Sequence, residues 1–264
     1  MKLKLVPASQ GLLWVRHGLR VFFMRPLGFC LLFFIFMLVG PPLMLAVAPL
    51  ATIGFMLATQ EALQGRFPAP TVFVTPLRVD RSRMWGQVKL GVAYAVCTLI
   101  VYFLSSAVDG GALQSVNDAM NAGKSPSEIE PMMSDPRLMA WWLILAGGVS
   151  LLAVPFWFAP ALVHWAGMSA SKSVFFSTVA CWRNKGAFVV YTLGWTAVVM
   201  LFALASGIVF ALLGTQQLAL AAIMPAALML SAAFYASLYF TFTDCFEPAA
   251  PTDAAPKPDT LETP

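Results

Sequence analysis

Charged residues are scarce in this sequence: only 11% of its 264 residues are Asp, Glu, Lys or Arg, whereas 59% are hydrophobic. A soluble domain usually carries roughly 25% charged residues. Because so few charges are available to cover a water-exposed surface, much of the surface must face lipid. The composition therefore excludes an ordinary soluble protein and predicts one embedded in a membrane.

Cysteine and histidine are also sparse, with four cysteines and two histidines in the whole chain. No C-x-x-C pair occurs, no Cys/His group has the spacing of a zinc site, and the wide cysteine spacing is not that of a disulfide-rich module. The motifs H-E-x-x-H and G-x-S-x-G and the Walker loop are absent too. We therefore expect no enzymatic activity, no metal and no cofactor.

Long apolar runs are what the sequence does contain. The uncharged stretch 27–60 would form a helix of about 51 Å, against a hydrocarbon core of about 30 Å. Pro41-Pro42 divides it, because proline breaks a helix. Its first half is short, so a full hairpin and a re-entrant loop both fit. The prediction is an all-α bundle of about six transmembrane segments, within an integral membrane domain of residues 1–247. The segments cover residues 27–40, 43–60, 88–107, 138–163, 186–213 and 218–243.

Two further compositional features orient the chain. With six segments and both termini inside, all of the 16 Lys and Arg residues except Lys124 and Arg137 lie on the cytoplasmic side. This bias is typical of inner-membrane proteins and predicts cytoplasmic termini and connectors, with residues 108–137 outside. Residues 248–264 contain five prolines among Ala, Asp and Thr, which predicts a disordered cytoplasmic tail.

Amphipathic connectors at the cytoplasmic side are the candidate interaction surfaces. In residues 7–25, Arg16 and Arg20 border an apolar helical face, which fits either an interfacial helix or the basic flank of a first span. The connector 164–185 places aromatic residues opposite three serines. It ends with Trp182, Arg183 and Lys185. These five residues are the predicted contacts for anionic membrane lipid, and the alternative is that they only anchor the topology.

The fourth predicted segment contains two prolines, Pro155 and Pro160, around an aromatic run. Two prolines five residues apart remove backbone hydrogen bonds and predict a helix kink there. Kinked or broken helices expose backbone carbonyls to substrates in some transporters. The simpler interpretation is a packing kink within an aromatic belt.

Several stretches resemble uncharacterised multi-pass inner-membrane proteins of beta-proteobacteria. They read MKLKLVPA at residues 1–8, GLLWV at 11–15, PFWFAP at 155–160 and ACWRNKGAF at 180–188. The resemblance runs over about residues 1–245. That family has no assigned reaction, ligand or catalytic residue, so the resemblance implies a membrane location and a multi-pass architecture but no activity.

The predicted membrane segments lack charged residues in their middle parts, and this absence bears on which functions we expect. None of the predicted segments holds an ionisable side chain deep in the membrane, whereas pumps and proton-coupled carriers usually need one. The sequence has no dense basic stripe of the kind that indicates nucleic-acid binding, so we expect no nucleic-acid partner. We expect a structural or accessory membrane protein that contacts lipids or a partner protein. The alternative is a carrier or channel for an apolar or lipid-like solute, favoured by the proline-broken segments.

Overall fold

Long apolar helices dominate the computed structural model, which describes residues 1–214 and 216–247. The predicted all-α class is confirmed, and the predicted tail 248–264 lies outside the described residues. One short strand pair and two 3₁₀ turns, Pro70–Phe73 and Thr75–Leu77, complete the described part. The elements in chain order are β1 (Lys2–Leu3), α1 (Gln10–Met24), α2 (Pro26–Met37), α3 (Pro41–Leu63), α4 (Arg81–Asp109), α5 (Ala112–Asn121), α6 (Pro126–Met133), α7 (Pro136–Phe156), α8 (Ala159–Ala166), α9 (Ala170–Arg183), α10 (Lys185–Leu212), α11 (Gln216–Cys245) and β2 (Phe246–Glu247).

Within the described residues, five stretches are long and apolar enough to cross a membrane. They are Leu43–Leu63, Arg81–Asp109, Pro136–Ala166, Lys185–Leu212 and Ala221–Cys245. A sixth crossing exists only if α1 and α2 count as one span, and these two helices meet at an angle of 98°. Helix α2 has twelve residues, about 18 Å, which is too short to cross the bilayer alone. The stretch that the sequence divides at residues 41–42 thus contains a short α2 and a full-length α3.

Helix α3 lies near the centre of the bundle, between α4 and α11. Contact with α4 is close because Gly91 has no side chain, and a Cβ there would collide with the carbonyl of Ala46. On the other side, the hydroxyl of Thr59 donates a hydrogen bond to the carbonyl of Ala236, at 3.0 Å. Small residues and polar bonds of this kind are the usual means by which helices associate in lipid.

The two ends of the described chain meet at one end of the bundle. Strands β1 and β2 pair antiparallel, with Lys2 opposite Glu247 and Leu3 opposite Phe246. The backbone N–H of Val6 donates to Oδ1 of Asn184, at 2.9 Å. We call residues 1–6, Asn184 and residues 244–247 the tethered end. It brings the start of the chain, the start of α10 and the end of α11 to the same side of the membrane.

Helix α1 is part of this tethered arrangement. It packs across α10 and α11, and its Trp14 is fully buried. Both Gln10 Nε2 and Trp14 Nε1 donate to Oδ2 of Asp244, at 2.6 and 2.7 Å. At Gly11 a Cβ would collide with backbone atoms of α10, so only glycine allows this approach. The amphipathic helix that the sequence indicates therefore packs Val15 and Phe22 of its apolar face on protein, whereas Leu12 and Phe23 are exposed.

The long connector on the opposite side contains two short helices, α5 and α6. Val116, Leu138 and Trp141 form a small buried cluster that joins α5 to α7. A capping box begins α6, in which Ser125 and Glu128 hydrogen-bond each other's side chain and backbone. Those hydrogen bonds lower the pKa of Glu128 below its usual value. This connector is thus folded locally, by its own caps and one small cluster.

Candidate functional site

The two prolines of the fourth predicted segment lie at a break between α7 and α8. Pro155 is in the last turn of α7, which ends at Phe156, and Pro160 is in the first turn of α8. The hydroxyl of Ser177, on α9, accepts a hydrogen bond from the N–H of Phe158 at 3.0 Å and donates one to the carbonyl of Val154 at 2.9 Å. In an uninterrupted helix that N–H and that carbonyl would bond directly. The serine is therefore inserted into the helix and holds the break open.

Helix α9 has a buried face and an exposed face, and Ser169, the first serine of the sequence pattern, is exposed at its start. Ser173 and Ser177 are completely buried against α7 and α8, whereas Phe175 and Trp182 are 62% and 71% exposed. Aromatic side chains exposed in this way suit the interfacial zone of a bilayer. On the buried side, burial raises the pKa of the Cys181 thiol. This cysteine therefore stays protonated and unreactive.

The junction of α9 and α10 carries the predicted lipid contacts. Trp182, Arg183 and Lys185 are all exposed, and Lys185 Nζ lies 5.3 Å from the centre of the Trp182 ring. Between them, Asn184 is buried and donates from Nδ2 to the carbonyl of Lys4, at 3.2 Å. The exposed cations and indole are thus fixed to a rigid part of the protein, the tethered end.

A cleft opens beside this junction. Helix α7 packs on α4 and α9, whereas α10 packs on α1 and α11, so a gap remains between α7 and the α10–α11 pair. Three cavities of about 220, 420 and 640 Å³ occupy this gap, and all three contact Ala153 and Trp157. We call this space the lateral cleft. Its mouth is formed by Trp182 and Lys185, so the structure brings the proline-flanked aromatic run and the basic junction into one site.

The interior of the lateral cleft is apolar and aromatic. The hydroxyls of Thr192 and Thr196 bond to carbonyls of their own helix, and the indole N–H of Trp157 donates to Thr241 Oγ1 at 3.1 Å. Among the described residues that line the three cavities, Lys185 is the one charged side chain. An apolar space with a single cation at its mouth matches an amphiphile with an anionic end.

A further cavity of about 750 Å³ continues the series between the outer halves of α10 and α11, by which we mean the halves farther from the tethered end. It shares Val199 and Leu230 with the largest cavity of the cleft. Gly207 faces open space there, since a Cβ would meet nothing within 4 Å. The outer halves of the two helices therefore do not close on each other.

The two arginines of α1 lie elsewhere. Arg16 and Arg20 are both exposed, but neither lines the lateral cleft. Sequence reasoning did not identify Ser150, Thr192 or Tyr235 as cleft residues. The spacing of Thr192 and Thr196, four residues apart on an apolar helix, is a signal that marks the cleft face of α10. Over the part of the chain that the structure describes, no three His, Cys, Asp or Glu side chains gather as metal ligands would.

Comparison with known proteins finds a curated relative described as a probable inner membrane protein, from Burkholderia thailandensis. It is 35% identical over 277 aligned residues, which cover 95% of this chain and 97% of the relative. No protein-family model matches the chain. No solved structure matches it either.

Proposed function

The chain belongs to the same family as the probable inner membrane protein of Burkholderia thailandensis, and on that premise we propose a non-enzymatic protein that binds anionic phospholipid. The observation that carries the proposal is the arrangement at the mouth of the lateral cleft. Lys185 and Arg183 are exposed beside Trp182 on a rigid junction. Indole rings favour the headgroup region, and each cation near an anionic leaflet contributes about 1 kcal/mol.

Several features support an accessory role. Helix α9 exposes Phe175 and Trp182, aromatic side chains that suit a membrane surface, and packs Ser173 and Ser177 against protein. Arg16 and Arg20 are exposed on α1 and serve in this proposal as secondary headgroup contacts. The polar partners of the bundle, such as Ser177 and Asp244, are engaged in joining helices.

The proposal places the tethered end in the cytoplasm. Both described ends of the chain and the α9–α10 junction lie on that side, where the sequence concentrates Lys and Arg. Single cysteines at Ser115 and Ser171, both exposed, test this in a cysteine-free background. An impermeant maleimide added to intact cells should label Ser115→Cys, and Ser171→Cys should react only after the membrane is opened. The reverse pattern would contradict the orientation.

The lipid proposal is tested by the double variant Arg183→Gln with Lys185→Gln. Losing two cations worth about 1 kcal/mol each should weaken retention of phosphatidylglycerol and cardiolipin by up to about thirtyfold before salt screening. The measurement is lipid mass spectrometry after purification in mild detergent, over a range of salt concentrations. Lys124→Gln with Arg137→Gln is the matched control, because it removes two positive charges from the opposite connector.

The control should retain anionic lipid like the parent protein. Equal retention by the two double variants, at matched folding, would mean that Arg183 and Lys185 only anchor the topology. Arg16→Gln with Arg20→Gln should cause a smaller loss, because these side chains lie outside the cleft.

A second candidate function is a carrier for a lipid-like solute. The continuation of the cleft along α10 to Val199 and beyond favours it, since the cavities then follow most of that helix. In proteoliposomes a carrier would accelerate the movement of a fluorescent phospholipid between leaflets. Binding without such movement would support the accessory role.

A further inference from the structure

We propose that the lateral cleft seats one acyl chain of a single anionic phospholipid, with its phosphate at Lys185. This inference rests on the proposed function and goes further, because it assigns a place to the lipid tail. The protein would then hold one lipid at a defined position, as well as contacting the lipids that surround any membrane protein.

The cleft is deep enough for one chain. Along α10 it runs from Lys185 past Thr192 and Thr196 to Met200, fifteen residues, which is about 22 Å of helix, and Thr196 lies about 16 Å from Lys185. One leaflet contributes half of a hydrocarbon core of about 30 Å. A chain that starts at the level of Lys185 therefore reaches Thr196 at about the midplane of the membrane.

The walls of the cleft are held in place, so the gap does not depend on its occupant. On one wall, Ser177 fixes the end of α7 through its bonds at Val154 and Phe158. On the other wall, the hydroxyls of Tyr191 and Ser237 lie 2.6 Å apart and join α10 to α11. A preformed space of this kind costs little reorganisation when a ligand enters.

Charge decides which lipid is held. An acyl chain gains almost nothing from leaving other acyl chains, because both surroundings are apolar. The cleft therefore contributes position, because a chain seated in it places the headgroup at Lys185, and a filled cleft prevents that placement. The selective interaction is that of the net negative headgroup with Lys185, since the choline cation of phosphatidylcholine offsets its phosphate. A lipid with no net charge and the same chains should exchange freely, whereas phosphatidylglycerol should stay.

The experiment fills the cleft without changing Lys185 or Arg183. Thr192 is exposed and lines the cleft, so Thr192→Trp places a ring in the space of the chain. Ala197, on the same helix, is exposed and does not line the cleft, so Ala197→Trp is the matched control. Ala153→Phe narrows the cleft from the opposite wall and guards against a folding defect peculiar to one variant.

The readout is native mass spectrometry of protein from nanodiscs of phosphatidylglycerol and phosphatidylcholine. The parent protein and Ala197→Trp should each retain one phosphatidylglycerol, and Thr192→Trp and Ala153→Phe should lower that 1:1 species at least tenfold. Phosphatidylglycerol with a diazirine in its chain should cross-link to Ser150 or Thr192 in the parent protein. A phosphatidylcholine probe with the same diazirine should label the lipid-facing surface without this preference.

The outcomes separate the two proposals. If Arg183→Gln with Lys185→Gln releases the lipid but Thr192→Trp and Ala153→Phe keep it, the chain does not lie in the cleft and this inference is wrong, although the proposed function stands. If the charge variant also keeps the lipid, both proposals fail. If cross-linking at Thr192 joined two copies of the protein, a second copy would be filling the cleft. That result would overturn the inference.

Discussion

Helices α3 and α10 are both apolar membrane spans, yet they sit in opposite surroundings. The most apolar stretch of α10 has a mean hydropathy of 2.2 and only 6% of it is buried, whereas the corresponding stretch of α3 has 1.7 and is 44% buried. The more hydrophobic helix is thus the less enclosed one. In lipid, apolar side chains gain little by leaving the acyl chains for protein, so hydrophobicity does not select the helices that pack.

Specific contacts make the selection instead. Around α3 they are the Gly91–Ala46 approach and the Thr59–Ala236 hydrogen bond. Within the described residues, helix α10 has comparable contacts in the half near the tethered end, where it meets α1 at Gly11 and α11 at Ser237. Beyond that part its surface is left to lipid. Substitutions at the tethered end should therefore matter much more than similar substitutions in the outer half.

The largest effect is expected at Gly11. A methyl group there would collide with the backbone of α10, so Gly11→Ala forces α1 and α10 apart and should lower the free energy of unfolding by about 3 kcal/mol. The same change at Gly207 meets open space and should stabilise α10 by up to about 1 kcal/mol, since alanine favours a helix. Thermal unfolding in detergent measures both. Equal destabilisation by the two variants would remove the contrast between the regions.

A smaller loss in the free energy of unfolding is expected for Asp244→Ala at the tethered end. The carboxylate accepts hydrogen bonds from Gln10 and Trp14, and its removal leaves a buried indole N–H without a partner. The expected cost is about 2 kcal/mol. Glu247→Ala is the control, because its ion pair with Lys4 is exposed and contributes about 0.5 kcal/mol or less. Similar melting temperatures for the two variants would show that α1 is held by apolar contact alone.

The smallest of the three losses in the free energy of unfolding is expected at the break between α7 and α8. Ser177→Ala removes the hydroxyl that joins Phe158 to Val154 and should cost about 1–2 kcal/mol. The neighbouring Thr178 bonds only within α9 and is exposed, so Thr178→Ala should change stability little. Hydrogen exchange at the Phe158 amide should rise only in the serine variant. Unchanged protection there would mean that α7 and α8 are held by other contacts.

Much of this fold was accessible from the sequence, for reasons the structure makes plain. Apolar runs predict helices because backbone groups in lipid must bond within the helix. The prolines at 155 and 160 predict a kink because proline cannot continue the hydrogen-bond ladder, and the structure has a break there between α7 and α8. The serine stripe of α9 indicates a polar face, although its burial against the α7–α8 break depends on contacts that α9 makes after folding.

The packing of α1 could not be predicted in the same way. Its bonds from Gln10 and Trp14 reach Asp244, 234 and 230 residues further along the chain, and no local pattern specifies such partners. The 98° turn between α1 and α2 is equally a product of packing. For the candidate site, sequence identified Trp182 and Lys185 by type and position. The lateral cleft is a gap between helices, and its position depends on helix packing that no local sequence pattern specifies.

The pairing of the first strand with the last also has a consequence for how the protein is made. Synthesis delivers β1 and α1 first, but Asn184 and Asp244 reach them only after most of the chain has been translated. At roughly 5–20 residues per second, the wait for Asp244 is on the order of 10–50 s. During that time α1 has no partner for Trp14, and an amphipathic helix of this kind rests stably at the membrane surface. The bonds from Val6 to Asn184 and from Trp14 to Asp244 therefore form late, and until then the early residues are held without them.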